Sequence, residues 1–278
     1  MPIHVVEGGG GAKLHVRDWG DPDAPAILFI HGWSQHHLCW SKQVDSALVE
    51  DFHLVVMDLR GHGQSDAPRE PASYTTGALW ADDVASVVAS LGLAQPLLVG
   101  WSYGALIIGD YLRMYGEASI AGVNLAAPAV GIGPAWFGPL IGPGFLDHAP
   151  AACSEDQTVA LPAIQAFLHA CLARPGTARE LELAIGWNML VHPKVRANLL
   201  AREEDFRPEY AQLKKPLMVS YGAADTVVLP AMAHAIRAAA PACSLSEYTD
   251  VGHAPFFEDP ERFNSELAQF AHGALAES

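Results

Sequence analysis

A serine set between two glycines places the tightest constraint on this chain. In Pro96-Leu97-Leu98-Val99-Gly100-Trp101-Ser102-Tyr103-Gly104-Ala105-Leu106-Ile107-Ile108, an apolar run breaks at Gly100 and resumes at Ala105 with helical spacing. The pattern predicts a strand, a sharp turn carrying Ser102, and a helix. Side chains two residues either side of the serine would crowd such a turn, and glycine stands at both places. The Ser102 hydroxyl then projects above the sheet edge, and the helix behind it aims its first free N–H groups and positive dipole end at the same spot. A tetrahedral anion formed on Ser102 would be stabilised there. The bare G-x-S-x-G pattern also describes an ordinary turn with a capping serine, but a strand before it and a helix after it favour a nucleophile.

A hydroxyl is a weak nucleophile and needs a base, which in turn needs an orienting acid. In an open parallel sheet these partners belong just past the carboxyl ends of other strands. Two residues meet that requirement. Asp225 follows the strand-like run 216–221, within Gly222-Ala223-Ala224-Asp225, and His253 follows Ser244–Tyr248, within Val251-Gly252-His253-Ala254-Pro255. The interval between them accommodates one helix and one strand, which returns the chain to the same edge. The order Ser, Asp, His suits a nucleophile elbow of this kind. Taken singly, Asp225 reads as a helix cap and His253 as a solvated loop residue; their joint placement is what points to a triad. Asp58 and Asp66 are lesser candidates for the acid, since both precede the nucleophile. For the oxyanion, the expected donors are the backbone N–H groups of Tyr103 and of Trp33, the latter in His31-Gly32-Trp33 after the third strand. His31 and His62 are read as loop braces.

The remaining chain alternates strands with helices. Runs 3–6 and 13–19, joined by Gly8-Gly9-Gly10-Gly11, read as an antiparallel hairpin. Apolar runs 26–30 and 52–57 read as strands buried on both faces, 38–49 and 75–91 as helices, and 120–125 as a further strand. Then the alternation lapses for roughly 80 residues, too many for a connecting loop. Capping-box patterns at Ser154/Gln157 and Thr177/Glu180 mark helices within that gap, a third fits 193–202, and no strand is convincing. Ahead of them 131–144 combines Gly and Pro with Trp136, Phe137, Leu140 and Ile141, which predicts a mobile apolar lid over the pocket. Alternation resumes with strands 216–221 and 244–248 and helices 230–239 and 260–271. The expected architecture is α/β: a mostly parallel sheet flanked by helices, with core segments 1–128 and 213–278 and a helical cap at 129–212.

Composition narrows the function. The chain has 278 residues, half of them apolar, enough for one sizeable core. A net charge of −15 without a Lys/Arg cluster argues against nucleic acid. Thirteen histidines show no metal-ligand spacing, so neither a metal nor another cofactor is expected. Four scattered cysteines (Cys39, Cys153, Cys171, Cys243) read as free thiols. No signal-like start or membrane-length apolar run occurs, which sets a cytoplasmic expectation with no membrane partner.

Together, His31-Gly32-Trp33, Asp58-Leu59-Arg60-Gly61-His62-Gly63-Gln64-Ser65, Gly100-Trp101-Ser102-Tyr103-Gly104, Asp225 and Gly252-His253 resemble the α/β-hydrolase superfamily over nearly the whole chain except the cap. Within it, Ser102 resembles the serine branch rather than the dehalogenases and epoxide hydrolases, which carry aspartate there. The resemblance implies a hydrolase acting on a small-molecule ester, most simply a carboxylesterase. Trp33, Tyr103 and the apolar residues Trp136, Phe137, Leu140 and Phe145 suggest a largely apolar substrate. The same triad also serves perhydrolases (haloperoxidases) and carbon–carbon bond hydrolases, and a ligand receptor could retain the fold without turnover. Many perhydrolase-like members have a glycine where this chain has Ala105.

Overall fold

The computed structural model describes residues 2–276. An eight-stranded sheet runs in the order β1 (Ile3–Glu7), β2 (Lys13–Trp19), β4 (His53–Met57), β3 (Ala26–Ile30), β5 (Leu97–Trp101), β6 (Gly122–Ala126), β9 (Leu217–Gly222), β10 (Ser244–Tyr248). The hairpin β1–β2 and the pair β2–β4 are antiparallel; every other pairing is parallel. This is the expected α/β architecture.

Strand periodicity sends alternate side chains to two separate cores. Leu28, Ile30, Val55, Met57, Leu98, Val123 and Leu125 face one core, covered by α1 (Gly77–Ser90), α2 (Tyr103–Tyr115) and, near β9, the helix Ala231–Ala239. Ile27, Phe29, Leu54, Val56, Leu97 and Val99 face the other, covered by Trp40, Val44, Leu48 and the inner face (Phe263, Leu267, Ala271, Ala274) of the closing helix Pro260–Ala276. Each such side chain contributes about 1.5–3 kcal/mol through burial.

Several local expectations need correcting. The helix anticipated over 38–49 is broken into short turns, His37–Trp40, Ser41–Val44 and Leu48–Asp51, the first of which begins at His37, whose N–H donates to Asp58. Between β6 and β9 the chain leaves the sheet and forms α3 (Gln157–Ala170), α4 (Ala178–Leu190) and α5 (Pro193–Leu200). A short antiparallel pair, β7 (Gly131–Ile132) with β8 (Glu204–Asp205), ties the two ends of this excursion together, where no strand was anticipated. The capping box at Thr177/Glu180 is present; at α3, however, the cap is Asp156, and Ser154 instead accepts from the Asp156 N–H.

The helical insertion is stitched together by a buried cation. The Arg196 guanidinium donates to the carbonyls of Ala152 (2.7 Å), Asn188 (2.9 Å) and Val191 (2.8 Å), two of which are the loose carbonyl ends of α4. On the same helix, the Arg196 carbonyl accepts from Trp33 Nε1 (3.1 Å), and the Leu199 carbonyl from Tyr103 Oη (3.0 Å). α5 therefore fastens the insertion to the loop carrying Trp33 and to the first residue of α2, beside Ser102.

The loops after β3 and β4 rest on buried histidines. Asp58 Oδ1 accepts from the His37 backbone N–H and His37 Nδ1, both at 2.9 Å, while Oδ2 accepts from the Gln64 N–H. Burial raises the Asp58 pKa, but hydrogen bonds from His15 and His37 outweigh it and hold the carboxyl far below its usual range. His31 donates from Nδ1 to Gly32 O (2.9 Å) and accepts the Leu59 N–H on Nε2 (3.1 Å). His62 likewise donates to Arg60 O (2.9 Å) and accepts the Ser34 N–H (3.2 Å). A backbone N–H can only donate, so both rings are held neutral with the proton on Nδ1. Burial pushes His62 and His36 down to about 4, and His31 well below its usual value. From pH 6.5 down to about 4 the unfolded chain therefore takes up protons that the folded chain refuses. Stability is fully expressed above this window and falls as pH drops through it. The urea midpoint should decrease clearly between pH 7.5 and 5, and His62→Gln should flatten that dependence; an equal midpoint at both pH values contradicts the account.

Candidate active site

Ser102 adopts φ 53°, ψ −114°, a conformation that L-residues rarely occupy. Three neighbours hold it there. Its N–H donates to Ala126 O (3.0 Å) at the end of β6, and its carbonyl accepts from Ala105 and Ala129. A Cβ on Gly104 would run into the Ile30 carbonyl, and one on Gly100 would meet Gly104 O at 3.0 Å and Ile108 Cδ1 at 2.7 Å. The glycines flanking the serine are thus required by close approach of β3, β5 and α2.

At the neighbouring strand ends the chain brings Asp225 and His253 together. His253 Nδ1 lies 2.7 Å from Asp225 Oδ2, with both side chains buried. Asp225 Oδ1 accepts the N–H groups of Val227 (2.8 Å) and Val228 (3.0 Å), so the carboxylate cannot rotate away. The His253 backbone is clamped as well: its N–H donates to Cys171 O (2.7 Å), and its carbonyl accepts from Trp101 Nε1 (2.8 Å). With Nδ1 committed to Asp225, Nε2 is the ring's proton-accepting nitrogen. Ser102 and His253 line one slot of about 220 Å³ together with Gly32, Trp33, Gln35, Trp101, Phe145 and Phe167. Among the described residues no hydrogen bond joins Ser102 Oγ to His253.

The loop after β3 approaches the serine closely: a Cβ on Gly32 would stand 3.2 Å from Ser102 Cβ. Among the described residues, neither the Trp33 N–H nor the Tyr103 N–H donates to a protein group, so two donors beside the serine remain open. The Trp33 indole does not face solvent; it packs edge-on against Phe145 and Phe167. A second cavity of about 360 Å³ adjoins Ser102 on the Tyr103 side, lined by Leu106, Phe137, Ile141, Phe145, Val227 and Val228 among others.

The lid residues divide. Phe137 lines the cavity at Ser102, but Trp136 and Leu140 do not. Trp136 is buried under Arg207, whose guanidinium lies 4.7 Å from its ring, and both Trp136 and Leu140 line a separate cleft with Glu203 and Glu204. The cause is the β7–β8 pairing, which draws this part of the loop toward the far end of the insertion; its signal in sequence is only two residues per strand. Asp58 does not approach His253, being occupied with His15 and His37. These three groups bring possible ligand atoms within 4.8 Å of one another. Both Asp58 oxygens already accept N–H groups, so the cluster is organised around the carboxylate. Gln35, which sequence reading overlooked, lies in the slot with Ser102 and His253; only its distance of three residues from Gly32 could have pointed to it. The four cysteines are unpaired, and no helix among the described residues is long and apolar enough to cross a membrane.

Comparisons with known proteins identify the family. A protein of Burkholderia cenocepacia assigned as an aryl esterase has a solved structure that superposes with a TM-score of 0.93, at 33% identity over 99% of this chain and 100% of that one. The esterase RhEst1 from Rhodococcus sp. ECU1013 gives 0.92 at 34% identity, covering 98% and 99%. The AB hydrolase superfamily protein YisY of Bacillus subtilis (strain 168) is 27% identical over 273 residues, 97% of this chain and 99% of that protein. The sequence profile of the Alpha/beta hydrolase family matches residues 27–266, and the chain belongs to that family.

Proposed function

We propose that the protein is a serine esterase that cleaves small, largely apolar carboxylic esters through an acyl-enzyme. The observation that carries this reading is the strained Ser102 sharing a slot with a histidine whose other nitrogen is held by a buried, immobilised carboxylate. Two similar structures being those of an esterase and of a protein assigned as one gives it further support.

In this reading Ser102 Oγ gives its proton to His253 Nε2 as it bonds to the acyl carbon. The carbonyl π electrons move to oxygen, where the Trp33 and Tyr103 N–H groups stabilise the charge in a site sheltered from water. Asp225 stabilises the imidazolium and fixes its orientation. Collapse of the intermediate breaks the acyl–alkoxy bond, and His253 returns the proton to the departing alcohol. Water then gives a proton to His253 and attacks the acyl-serine; the acid leaves and Ser102 regains its hydrogen. The apolar lining of the 360 Å³ cavity favours an uncharged substrate.

Replacing Ser102 with alanine should abolish ester turnover without loss of fold, and a fluorophosphonate should label Ser102 alone; labelling elsewhere or retained turnover rejects the mechanism. Asp225→Asn should lower kcat by about 10³–10⁴ through the wrong tautomer. Unchanged kinetics would place the acid elsewhere. Phe137 and Trp136 should behave differently, as their positions require. Phe137→Ala should alter preference among esters, whereas Trp136→Ala should cost about 3–5 kcal/mol of stability and leave that preference as it was. Chain-length profiles and urea denaturation of the two variants distinguish these outcomes.

A further inference from the structure

Beneath α4 lies a larger chamber, open to solvent and of about 650 Å³ with its mouth included, whose walls are mostly apolar, with Trp101, Leu172, Leu181, Ala184, Trp187 and Phe257 contributing to them. It shares two residues, Gln35 and Trp101, with the slot that holds Ser102 and His253. Of its acidic lining, Glu180 is already engaged by Lys42 at 3.0 Å. Gln35 stands where slot and chamber meet. It is 2% exposed, and its Oε1 accepts from Trp187 Nε1 at 3.0 Å. An indole N–H can only donate, which fixes the amide orientation and leaves the Gln35 NH₂ as the other face. Among the described residues that buried NH₂ has no partner. The Gln35 backbone is held too, its N–H donating to Gly32 O in the turn that presents the Trp33 N–H.

Which half of an ester would enter follows from where the proton must go. The departing alcohol receives its proton from His253 Nε2, so its oxygen lies on the histidine side of Ser102. The slot containing His253 borders the chamber at Gln35 and Trp101, and the chamber is also lined by Ala254 and Phe256 from the segment just after His253. The cavity on the Tyr103 side lacks His253 and is about half the size. We infer that the chamber under α4 receives the alcohol half of the ester, that this half is a bulky aromatic group bearing a hydrogen-bond acceptor near the ester bond, and that Gln35 donates to that acceptor. The inference rests on the serine esterase reading and adds its substrate class and a specificity residue.

The test compares ratios of kcat/KM, so that a general loss of rate cancels. Ala184→Phe, which fills the chamber from its roof, should lower the ratio of 1-naphthylmethyl acetate to methyl acetate at least tenfold while holding the ratio of methyl hexanoate to methyl acetate within twofold. A fall confined to the hexanoate ratio would make the chamber an acyl site, and no change in either would remove it from substrate binding; both results overturn the inference. Gln35→Met should reduce the preference for 2-methoxybenzyl over benzyl acetate at least fivefold, and an unaltered preference overturns the role given to Gln35. Should Ala184→Phe fail to fold, inhibition of the wild-type protein decides: 1-naphthylmethanol must compete with benzyl acetate and bind at least fivefold tighter than benzyl alcohol, and weaker or non-competitive inhibition rejects the chamber. If Ser102 accepts a fluorophosphonate but no ester is turned over, the esterase reading itself has failed and the inference falls with it.

Discussion

A serine backbone held at φ 53° and ψ −114° is the constraint on which the rest of this structure depends. A conformation of that kind costs about 1–3 kcal/mol and persists only where its surroundings leave no alternative. Here the surroundings are the sheet itself. β5 is sandwiched between β3 and β6, the Ser102 N–H is taken by the end of β6, and α2 is pressed so near Ile30 that residue 104 has room for no side chain. Both apolar cores secure those strands, so burial spread over the whole sheet maintains the strain at a single residue.

The polar side of the site is secured differently, by hydrogen bonds whose direction admits one arrangement. Asp225 spends one oxygen on two backbone N–H groups and the other on His253. His31 and His62 each donate through one ring nitrogen and accept through the other, bracing the turn that carries Gly32 and Trp33. Acid would break these braces before it touched the strongly depressed Asp58. The protein thus combines a site held by apolar packing from below with loops held by neutral histidines from the side.

Sequence reveals what repeats with short period or sits at a fixed offset. The strands of the sheet, the turn at Ser102, and the placing of Asp225 and His253 after two strands were legible because each depends on neighbours in the chain. The capping box at Thr177 was legible for the same reason. What escaped depends on distant partners. The chain ahead of 38–49 is anchored at His37 to a carboxylate at residue 58, and Trp136 lies just after the two residues, 131 and 132, that pair with 204 and 205. Gln35 carries no motif, and its significance arises only when Trp187, 152 residues away, takes its oxygen.

Among the described residues Arg196 has no carboxylate beside it; its charge is balanced by three carbonyl dipoles, one from Ala152 and two from the end of α4. Moving either of these anchor points alone would strand a cation in an apolar interior, at far greater cost than shifting the assembly as a block. Because its own carbonyl also holds the Trp33 indole, a displacement of that block is felt directly at the turn that carries Gly32 and Trp33. The insertion and the turn beside Ser102 are therefore tied together, so the open N–H group of Trp33 keeps its position only while the insertion is seated.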